Sequence, residues 1–143
     1  MRSMVATSAD LEAIKQFAAQ TTRAVLVTRR KDGGLQSSPM AVVADDEGNV
    51  LTATRAKNAK TYNLARDPRA MLCLFTEQFP GPWMHVEGAA EIERLPEAMP
   101  LLADYYRRRG QDTTTEAFRQ RMLTENRVLI RIRTDRVVHS PSG

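Results

Sequence analysis

Two glycine-containing turns separate three short β-rich runs near the start of the sequence, and this spacing restricts the fold more than any other feature. The first turn, Lys31–Gly34, separates Ala24–Thr28 from Leu35–Ala44, and the second, Asp45–Gly48, leads into Asn49–Thr54. Asp-Gly and Gly-Gly pairs between β-rich runs are strong signals for hairpins. Three consecutive antiparallel strands are therefore predicted, which argues against the parallel sheet of a doubly wound fold.

Three later strands are predicted from apolar patterning. Ala70–Phe75 is almost continuously apolar, which predicts burial on both faces and an inert, buried thiol at Cys73. Trp83–Ile92 is the next strand, and Gly88 within it predicts a bulge or bend. The last strand begins at Val128, where apolar residues alternate with residues that include two arginines, so one face is richer in cations.

Helix signals fall between these strands. Each predicted helix has a capping residue or a proline at its start and an apolar face at helical spacing. The predicted helices are about Ser8–Ala19 after the capping box of Thr7 and Asp10, a short helix between its N-cap Asn58 and Pro68, a helix from Leu95-Pro96 to Gly110, and a helix from the capping box of Thr113 and Glu116 to Asn126.

Strands interrupted by helices, with hairpins early in the chain, predict an α+β fold built on an antiparallel barrel. Pro39 lacks an N–H donor, so it predicts either a bulge or a place where something other than a strand meets the backbone. Val137 and Val138 extend the last strand, and residues 139–143 are predicted to form an irregular tail.

Composition narrows the class of protein. The 143 residues fit one domain, 1–143, and 42% hydrophobic with 27% charged residues is ordinary for a globular chain. The single Cys73 excludes an internal disulfide framework and agrees with a reducing cytoplasm. We expect neither a signal peptide nor a membrane span. A net charge of +4 suits an acidic ligand and is too small to indicate nucleic acid.

The cations that follow the third strand are the best candidate binding site. Arg55 and Lys57 precede the short helix, and Lys60 lies in its first turn, beside unpaired backbone N–H groups and the positive end of the helix dipole. This arrangement predicts a cradle for an anion, most naturally a phosphate. The alternative is a solvated basic turn.

Other candidates have two interpretations each. Arg107–Arg109 is favourable chemistry at a helix C-terminus or a second contact for a polyanion. His85 is either a surface or interface residue or else a ligand or base. His139 lies near the chain end. Trp83 either belongs to the core or forms a pocket wall. Metal-ligand spacings, a nucleophile elbow, a Walker loop and a dinucleotide-binding glycine motif are all missing. An enzyme without its own acid, base or nucleophile can use the chemistry of a cofactor.

The sequence around these cations resembles the pyridoxamine 5′-phosphate oxidase-like split-barrel flavoproteins. Lys60–Ala70, preceded by Thr52 and Thr54, is similar to the family signature K-x-x-N-L-x-R-D-P-R-A, and Ser37–Met40 and Val86–Ala90 are similar to two strand segments. The pattern resembles most closely the actinobacterial branch that uses coenzyme F420, a deazaflavin, in place of FMN. Further matches are Tyr106 with the following arginines, Arg119–Met122, Arg127–Leu129 and Arg136–Val138.

The resemblance implies a six-stranded split β-barrel with peripheral helices that forms a homodimer with two cofactor clefts at its interface. By position, Lys60 corresponds to the lysine that binds the cofactor phosphate. The other implied cofactor-binding residues are Ser37, Ser38, Pro39 and Met40 at the ring edge, Thr52 and Thr54 at the phosphate or ribityl chain, and Trp83 as an aromatic wall for the partner subunit.

One position departs from the family pattern. Asn58 stands where close relatives often carry an arginine, so a phosphate-binding charge is absent there. Arg55 or Lys57 replaces it, or the cofactor sits differently. The oligoglutamate tail of F420 needs more cations, for which Arg107–Arg109 and the strand residues Arg131 and Arg133 are candidates.

The expected activity is hydride transfer between reduced F420 and a small, electron-poor organic acceptor, with no metal. The protein would supply orientation and a shielded cleft. The alternatives are an FMN-dependent oxidoreductase of the same fold, a non-catalytic F420- or flavin-binding protein, and a heme-handling protein, although two isolated histidines give the last little support. Pyridoxamine-phosphate oxidation is disfavoured because the chain ends soon after its last strand.

Overall fold

A computed structural model describes residues 6–140. Those residues form four helices and seven strands, in agreement with the predicted α+β class and the predicted number of helices. The elements are α1 (Ser8–Ala18), β1 (Arg23–Arg29), β2 (Leu35–Ala41), β3 (Val43–Ala44), β4 (Val50–Arg55), α2 (Ala59–Arg66), β5 (Arg69–Phe75), β6 (Trp83–Glu93), α3 (Met99–Arg108), α4 (Glu116–Glu125) and β7 (Arg127–Ser140).

All seven strands belong to one antiparallel sheet with the order β2-β1-β5-β6-β7-β4-β3. Its two edge strands, β2 and β3, are consecutive in the chain and are separated only by Val42. The sheet must therefore curl until its edges approach each other, which gives a half-barrel. The predicted count of six strands is wrong because the single expected strand Leu35–Ala44 leaves one edge and joins the other at Val42.

Two apolar cores lie on opposite faces of the sheet. Leu26, Leu72 and Ile130 are fully buried on the inner face, where Ile14 of α1 and Leu64 of α2 join them. The second core lies on the outer face of β4 and β7, which α3 and α4 cover. Its members include Leu51, Leu102, Tyr105, Tyr106 and Met122. The barrel is thus filled by side chains and closed by helices.

β5 is buried on one face only, so the prediction of burial on both faces is wrong. Ala70, Leu72 and Leu74 point inward and are buried, whereas Cys73 is exposed on the outer face. A buried position for the thiol is therefore also wrong. The antiparallel pairing explains both errors, since such a sheet packs one face on the core and leaves the other free.

Gly88 marks a bulge, as predicted. The register passes from Glu87 opposite Arg136 to Gly88 opposite Thr134, which leaves Asp135 as the extra residue in β7. Pro39 lies opposite Val25 in an unbroken ladder on the edge strand β2, so no bulge occurs there. Proline is tolerated at that place because its missing donor faces the free edge.

Helix and strand ends were predicted with mixed accuracy. The Thr7 capping box and the stop at Asn126, whose φ of 47° is left-handed, are confirmed. The third helix begins at Met99 rather than at Leu95-Pro96, and Thr115, not Thr113, caps α4 by accepting from the backbone N–H of Phe118.

β7 is longer than predicted. It continues to Ser140, with His139 opposite Met84. The prediction that residues 139 and 140 belong to an irregular tail is therefore wrong. Residues 141–143 of that predicted tail lie outside the described range. Within residues 6–140, no helix has the length and apolar character needed to cross a membrane.

Candidate functional site

Lys60 lies in the first turn of α2, where the sequence predicted it. Its side chain makes no hydrogen bond or ion pair within residues 6–140. No acidic residue lies in that first turn. A free ammonium beside the N-terminus of a helix is suited to bind an anion, because the ammonium and the backbone N–H groups all donate.

Asn58 occupies the N-cap position of α2, but its side chain does not cap the helix. Its backbone is extended, as a cap requires, while its Nδ2 donates to Thr54 Oγ1 at 2.7 Å. The predicted capping hydrogen bond is therefore absent, and no side chain satisfies the first N–H groups of α2. The N–H of Thr61 donates to the carbonyl of Asn58 at 3.0 Å, so the N–H groups of Ala59 and Lys60 are the ones that stay available to an external acceptor.

Arg55 and Lys57 differ in their partners. Arg55 forms an ion pair with Glu125 at 3.3 Å, whereas Lys57 is exposed and makes no ion pair within residues 6–140. Both line a cleft of about 310 Å³ with residues 124–126. Of the two proposed replacements for the missing family arginine, Lys57 is thus the one whose charge is uncommitted.

Thr52 and Thr54 support the site from behind. Thr52 is fully buried, and its hydroxyl donates to the carbonyl of Ala41 at 2.8 Å. Tyr105 donates to the same carbonyl at 2.7 Å. Thr54 is also buried and accepts from Asn58. Both hydroxyls thus hold neighbouring backbone and side chains in place, and neither is open to solvent.

The predicted ring-edge residues lie on β2, at the open edge of the sheet. Ser38 and Met40 are half-buried, and Met40 packs against the inner core. Ser37 and Pro39 are exposed and point to the outer face. β2 pairs only with β1, so no strand covers its other edge. The carbonyls at its two ends, Leu35 and Ala41, accept from side chains, which leaves the middle of this edge to meet a ligand.

A buried amide joins these two groups of residues. Asn63 of α2 donates to Thr28 Oγ1 of β1 and to Gln36 Oε1 of β2, both at 3.1 Å. Its Oδ1 accepts from Arg66 at 3.0 Å. The helix that carries Lys60 is therefore fixed to the strand that carries Ser37–Met40. Sequence reasoning missed this role, although Asn63 is the asparagine of the family signature.

Trp83 lies away from this junction. It is half-buried and stands opposite Phe75 and Ser140, at the end of the β5–β6 ladder far from Arg69, where α2 leads into β5. Within one chain, the structure does not bring Trp83 to Lys60 or to β2. Its predicted role as a wall for the partner subunit stays a prediction.

The outer face of β1, β5, β6 and β7 carries one row of cross-strand partners that is apolar except for a histidine. The row is Val25, Cys73, His85 and Val138, and none of the four belongs to either core. His85 Nε2 lies 2.9 Å from Glu87, which also accepts from Arg136 at 2.8 Å. These hydrogen bonds, that of His85 first, lower the pKa of Glu87.

The arginines predicted to meet a cofactor tail are held by internal contacts. Arg107 and Arg108 bind Asp104, and Arg108 also binds Asp46. The guanidinium of Arg109 lies 5.6 Å from the ring centroids of Tyr105 and Tyr106. The interpretation of Arg107–Arg109 as helix-end chemistry is the one that these contacts favour.

The two strand arginines are also paired with acids. Arg131 lies within 4 Å of Asp45, Glu91 and Glu93, and Arg133 binds Glu91 at 2.6 Å. Both therefore hold β7 to the neighbouring β6 through opposite charges. Neither is a free cation that waits for a ligand.

A second cationic group, which the sequence did not single out, surrounds Asp67 at the end of α2. Arg69 binds this carboxylate through two hydrogen bonds of 2.7 and 3.0 Å, which with its backbone N–H lower the pKa of Asp67 to about 2. Arg66 donates to the carbonyl of Arg29 at 3.1 Å. Of these arginines, Arg69 binds the Asp67 carboxylate directly. Arg29 and Arg69 also line a cavity of about 290 Å³, together with Glu87 and Asp135.

The described residues contain no cluster of three or more His, Cys, Asp or Glu side chains that could hold a metal ion. Hydrogen-bond donors dominate the site around α2: the free Lys60 and Lys57, uncapped backbone N–H groups and the Arg66 and Arg69 guanidinium groups. That set is suited to an anion and supplies neither a nucleophile nor a general base of its own.

Comparison with solved structures identifies the fold. The conserved hypothetical protein Rv2991 from Mycobacterium tuberculosis is 26% identical, with a TM-score of 0.75 over 99% of this chain and 89% of that one. An F420 reductase is 22% identical, with a TM-score of 0.66 over 87% of this chain and 94% of its own. A heme binding protein from Mycobacterium smegmatis is 18% identical, with a TM-score of 0.67, and covers 96% of this chain against 59% of its own.

The sequence profile of the pyridoxamine 5′-phosphate oxidase family matches residues 11–140. This range spans α1 from its second turn to the last residue of β7 and includes the signature segment around Lys60. The match agrees with the half-barrel, with the edge strand β2 and with the anion-binding character of α2. The chain belongs to the pyridoxamine 5′-phosphate oxidase family.

Proposed function

We propose that this protein is a homodimeric oxidoreductase that binds coenzyme F420 and transfers hydride between the reduced cofactor and a small, electron-poor organic acceptor. The observation that carries the proposal is the free Lys60 in the uncapped first turn of α2, fixed beside the open edge of β2. Phosphate is the anion for which such a helix start is best suited.

The residues present fit the phosphorylated arm of a flavin-type cofactor. Lys60 and the backbone N–H groups of α2 would hold the phosphate, with Lys57 as a second charge. The backbone of Ser37–Met40 would meet the ring edge, because β2 offers unpaired donors and acceptors there. Thr52 and Thr54 would support this surface indirectly, through their hydrogen bonds within the fold.

F420 rather than FMN is proposed because cations extend beyond the phosphate site. The tail of F420 carries carboxylates, and the group formed by Arg29, Arg66 and Arg69 makes one ion pair within residues 6–140, that of Arg69 with Asp67. It lies at the C-terminal end of α2, about 9 Å along the helix from Lys60 at 1.5 Å per residue. The F420 reductase among the similar structures supports the same choice.

A homodimer is proposed through the outer face of β1, β5, β6 and β7. Val25, Cys73 and Val138 form an apolar row there that no helix within residues 6–140 covers. A second subunit on this face would bury that row and bring its own Trp83 towards the cofactor. Interfaces of this kind have an apolar centre and a polar rim, which Glu87 and Arg136 would supply.

When bound, the reduced deazaflavin ring supplies the hydride. The chain itself orients the cofactor between α2 and β2 and excludes water from the cleft. No side chain around α2 is a general acid, so solvent is the proposed source of the proton. The contribution of the chain to catalysis would therefore be to hold the ring in place.

Binding distinguishes this proposal from the FMN alternative. Purified protein is titrated with F420 and with FMN while the fluorescence of the single Trp83 is followed. Saturable quenching by F420, without retained FMN, supports the proposal. A yellow protein that releases FMN would instead establish the FMN-dependent oxidoreductase.

Turnover distinguishes an enzyme from a non-catalytic F420- or flavin-binding protein. Reduced F420 is mixed with quinone and enone acceptors, and oxidation is followed by absorbance. Oxidation that depends on both protein and acceptor supports hydride transfer. Tight binding without oxidation across the panel would identify a carrier.

Heme is a further ligand to test, because one similar structure is a heme binding protein. His85 is held by Glu87, and His139 is exposed in β7. A Soret band that survives desalting, and that the change of either histidine to alanine abolishes, would favour heme binding. Free-heme absorbance alone would count against it.

A further inference from the structure

One buried amide lies at the junction of α2 with the sheet. Asn63 is only 6% exposed, and both N–H groups and the carbonyl oxygen of its side chain have partners within 3.1 Å. Buried polar groups are costly unless they are satisfied. A fully satisfied amide between three elements therefore fixes their relative positions.

The partners of Asn63 are themselves a pair. Thr28 of β1 and Gln36 of β2 stand directly opposite each other in the ladder, and the amide bridges them. Arg66, one turn after Asn63, adds a parallel link because it donates both to Asn63 and to the carbonyl of Arg29. The helix is thus tied to both strands of the β1–β2 hairpin.

Apart from this junction, α2 is held mainly by Leu64 in the inner core and β2 by its ladder with β1. α2 has eight residues and no side-chain cap, whereas isolated helices shorter than about 12 residues are marginal. β2 is an edge strand that pairs only with β1. Without the bridge, the distance between the helix and the strand would be less tightly fixed.

We infer that Asn63 is a positioning residue that sets the spacing between the phosphate-binding end and the ring-binding edge of the cofactor site. Lys60 precedes Asn63 by three residues, so the two side chains share one face of α2. Gln36 directly precedes Ser37, the first of the ring-edge residues. This inference rests on the proposed function, and it names the side chain that makes the two half-sites act as one.

A ligand that spans two half-sites gains affinity only when their separation is fixed, because the second contact is then intramolecular. Loss of the bridge should therefore weaken the cooperation between Lys60 and the ring edge. It should do so even though Asn63 does not touch the cofactor. A role in stability alone would leave the contribution of Lys60 to binding unchanged.

The test uses Asn63→Leu, which keeps the size of the side chain and removes its hydrogen bonds. Asn49→Leu is the matched control, since Asn49 is 7% exposed and its amide donates to Asp45 in the turn before β4, outside the site. Gln36→Leu is a milder variant that breaks only the bond to β2. It serves if Asn63→Leu does not fold.

Binding of F420 is measured in each background with and without Lys60→Ala. In the wild type and in Asn49→Leu we expect Lys60→Ala to weaken binding about 10- to 150-fold. In Asn63→Leu the same change should weaken binding less than about threefold, because the two half-sites no longer act together. An undiminished effect of Lys60→Ala in that background overturns the inference.

Hydrogen exchange of the α2 amides supplies a second readout that needs no cofactor. Exchange in Asn63→Leu should be at least about tenfold faster than in Asn49→Leu, since the helix loses its anchor. Unchanged protection of α2 overturns the inference. If the wild type binds neither F420 nor FMN, the proposed function fails, and the exchange result alone then supports or rejects the bridge.

Discussion

At the scale of single residues, charge compensation separates cations that hold the fold together from cations that are left for the proposed ligand. Most arginines of β7, α3 and α4 have carboxylate partners, as Arg131, Arg133 and Arg108 do. Lys60 and Lys57 have none within residues 6–140. A cation that stays free beside an uncapped helix start loses little by binding an external anion.

The first residue-scale prediction concerns Lys60. Lys60→Ala should weaken F420 binding by about 1.5–3 kcal/mol, because a charge-assisted contact to phosphate is lost. The melting temperature should not change, since the ammonium supports no other group. Lys31→Ala, an exposed lysine in the first hairpin turn, is the control. Equal affinities for the Lys60→Ala variant and the control would remove Lys60 from the site.

The second residue-scale prediction concerns the contribution of Asp67 to the stability of the protein at low pH. Its pKa is lowered to about 2 in the folded protein, chiefly by hydrogen bonds from Arg69. A carboxyl group whose pKa is lower in the folded protein than in the unfolded chain stabilises the fold above its unfolded pKa, which is near 3.8 for Asp67. This stabilisation is lost as the pH falls through the pKa of the folded protein.

Asp67→Asn should therefore make the thermal stability less dependent on pH between about 4 and 2, because one proton fewer is taken up on unfolding. The measurement is the melting temperature across this range. Asp135→Asn serves as the control, since Asp135 is an exposed carboxylate without an ion pair in the described part of the chain. Equal slopes for the wild type and Asp67→Asn would contradict the assigned hydrogen bonds.

At the scale of elements, local signals predicted what local chemistry decides. The Thr7 capping box, the turn at Lys31–Gly34 and the bulge at Gly88 each depend on a few adjacent residues, and each is found. The break at Val42 depends on two distant sheet edges that meet, which no local pattern records. The exposed position of Cys73 likewise follows from the pairing of β5 with its neighbours.

The candidate site shows the same division. Lys60 and the edge strand were predictable, because a family signature and β-propensity mark them. The pairing of Arg131 and Arg133 with acids was not, because Asp45 and the glutamates of β6 are distant in sequence. Arg107 and Arg108 pair with Asp104 on the same helix, which is a local contact. The bridge from Asn63 to Gln36 spans 27 residues and became visible only with the helix packed on the sheet.

An element-scale prediction follows from the bulge. A Cβ at Gly88 would lie 2.1 Å from the backbone carbonyl oxygen of Arg133, so the two strands must separate. Gly88→Ala should lower the free energy of unfolding by about 1–3 kcal/mol, as overpacking does. Denaturant unfolding measures it, with Ala89→Ser as the exposed neighbouring control. A loss of stability equal to that of the control would mean that the strands at the bulge shift enough to accommodate the added Cβ.

At the scale of the whole molecule, two parts of the outer face of the sheet differ in what covers them. α3 and α4 cover the outer face of β4 and β7, whereas the row from Val25 to Val138 has no cover within residues 6–140. An uncovered apolar sheet face next to a ligand edge is characteristic of an interaction surface. The proposed dimer would bury this face and complete the cleft with Trp83 of the partner subunit.

Disruption of this face tests the assembly and the site together. Val138→Arg places a charge at one end of the row, where Val138 is 37% exposed and therefore tolerates a larger side chain in the monomer. The variant should be monomeric by light scattering because a buried, unpaired charge at an interface is costly. Its F420 affinity should fall at least about tenfold, since the cleft loses the partner's wall.

Leu123→Arg is the matched control for the dimer, because Leu123 is 42% exposed on α4 and lies away from the row. It should keep both the dimer mass and the affinity of the wild type. A Val138→Arg monomer should remain folded, since Val138 belongs to neither core, and it should melt below the dimeric control because association stabilises the folded state. A Val138→Arg protein that stays dimeric with full affinity would place the interface elsewhere. A monomer with full affinity would show that one subunit holds the cofactor alone, so that Trp83 has no part in binding it.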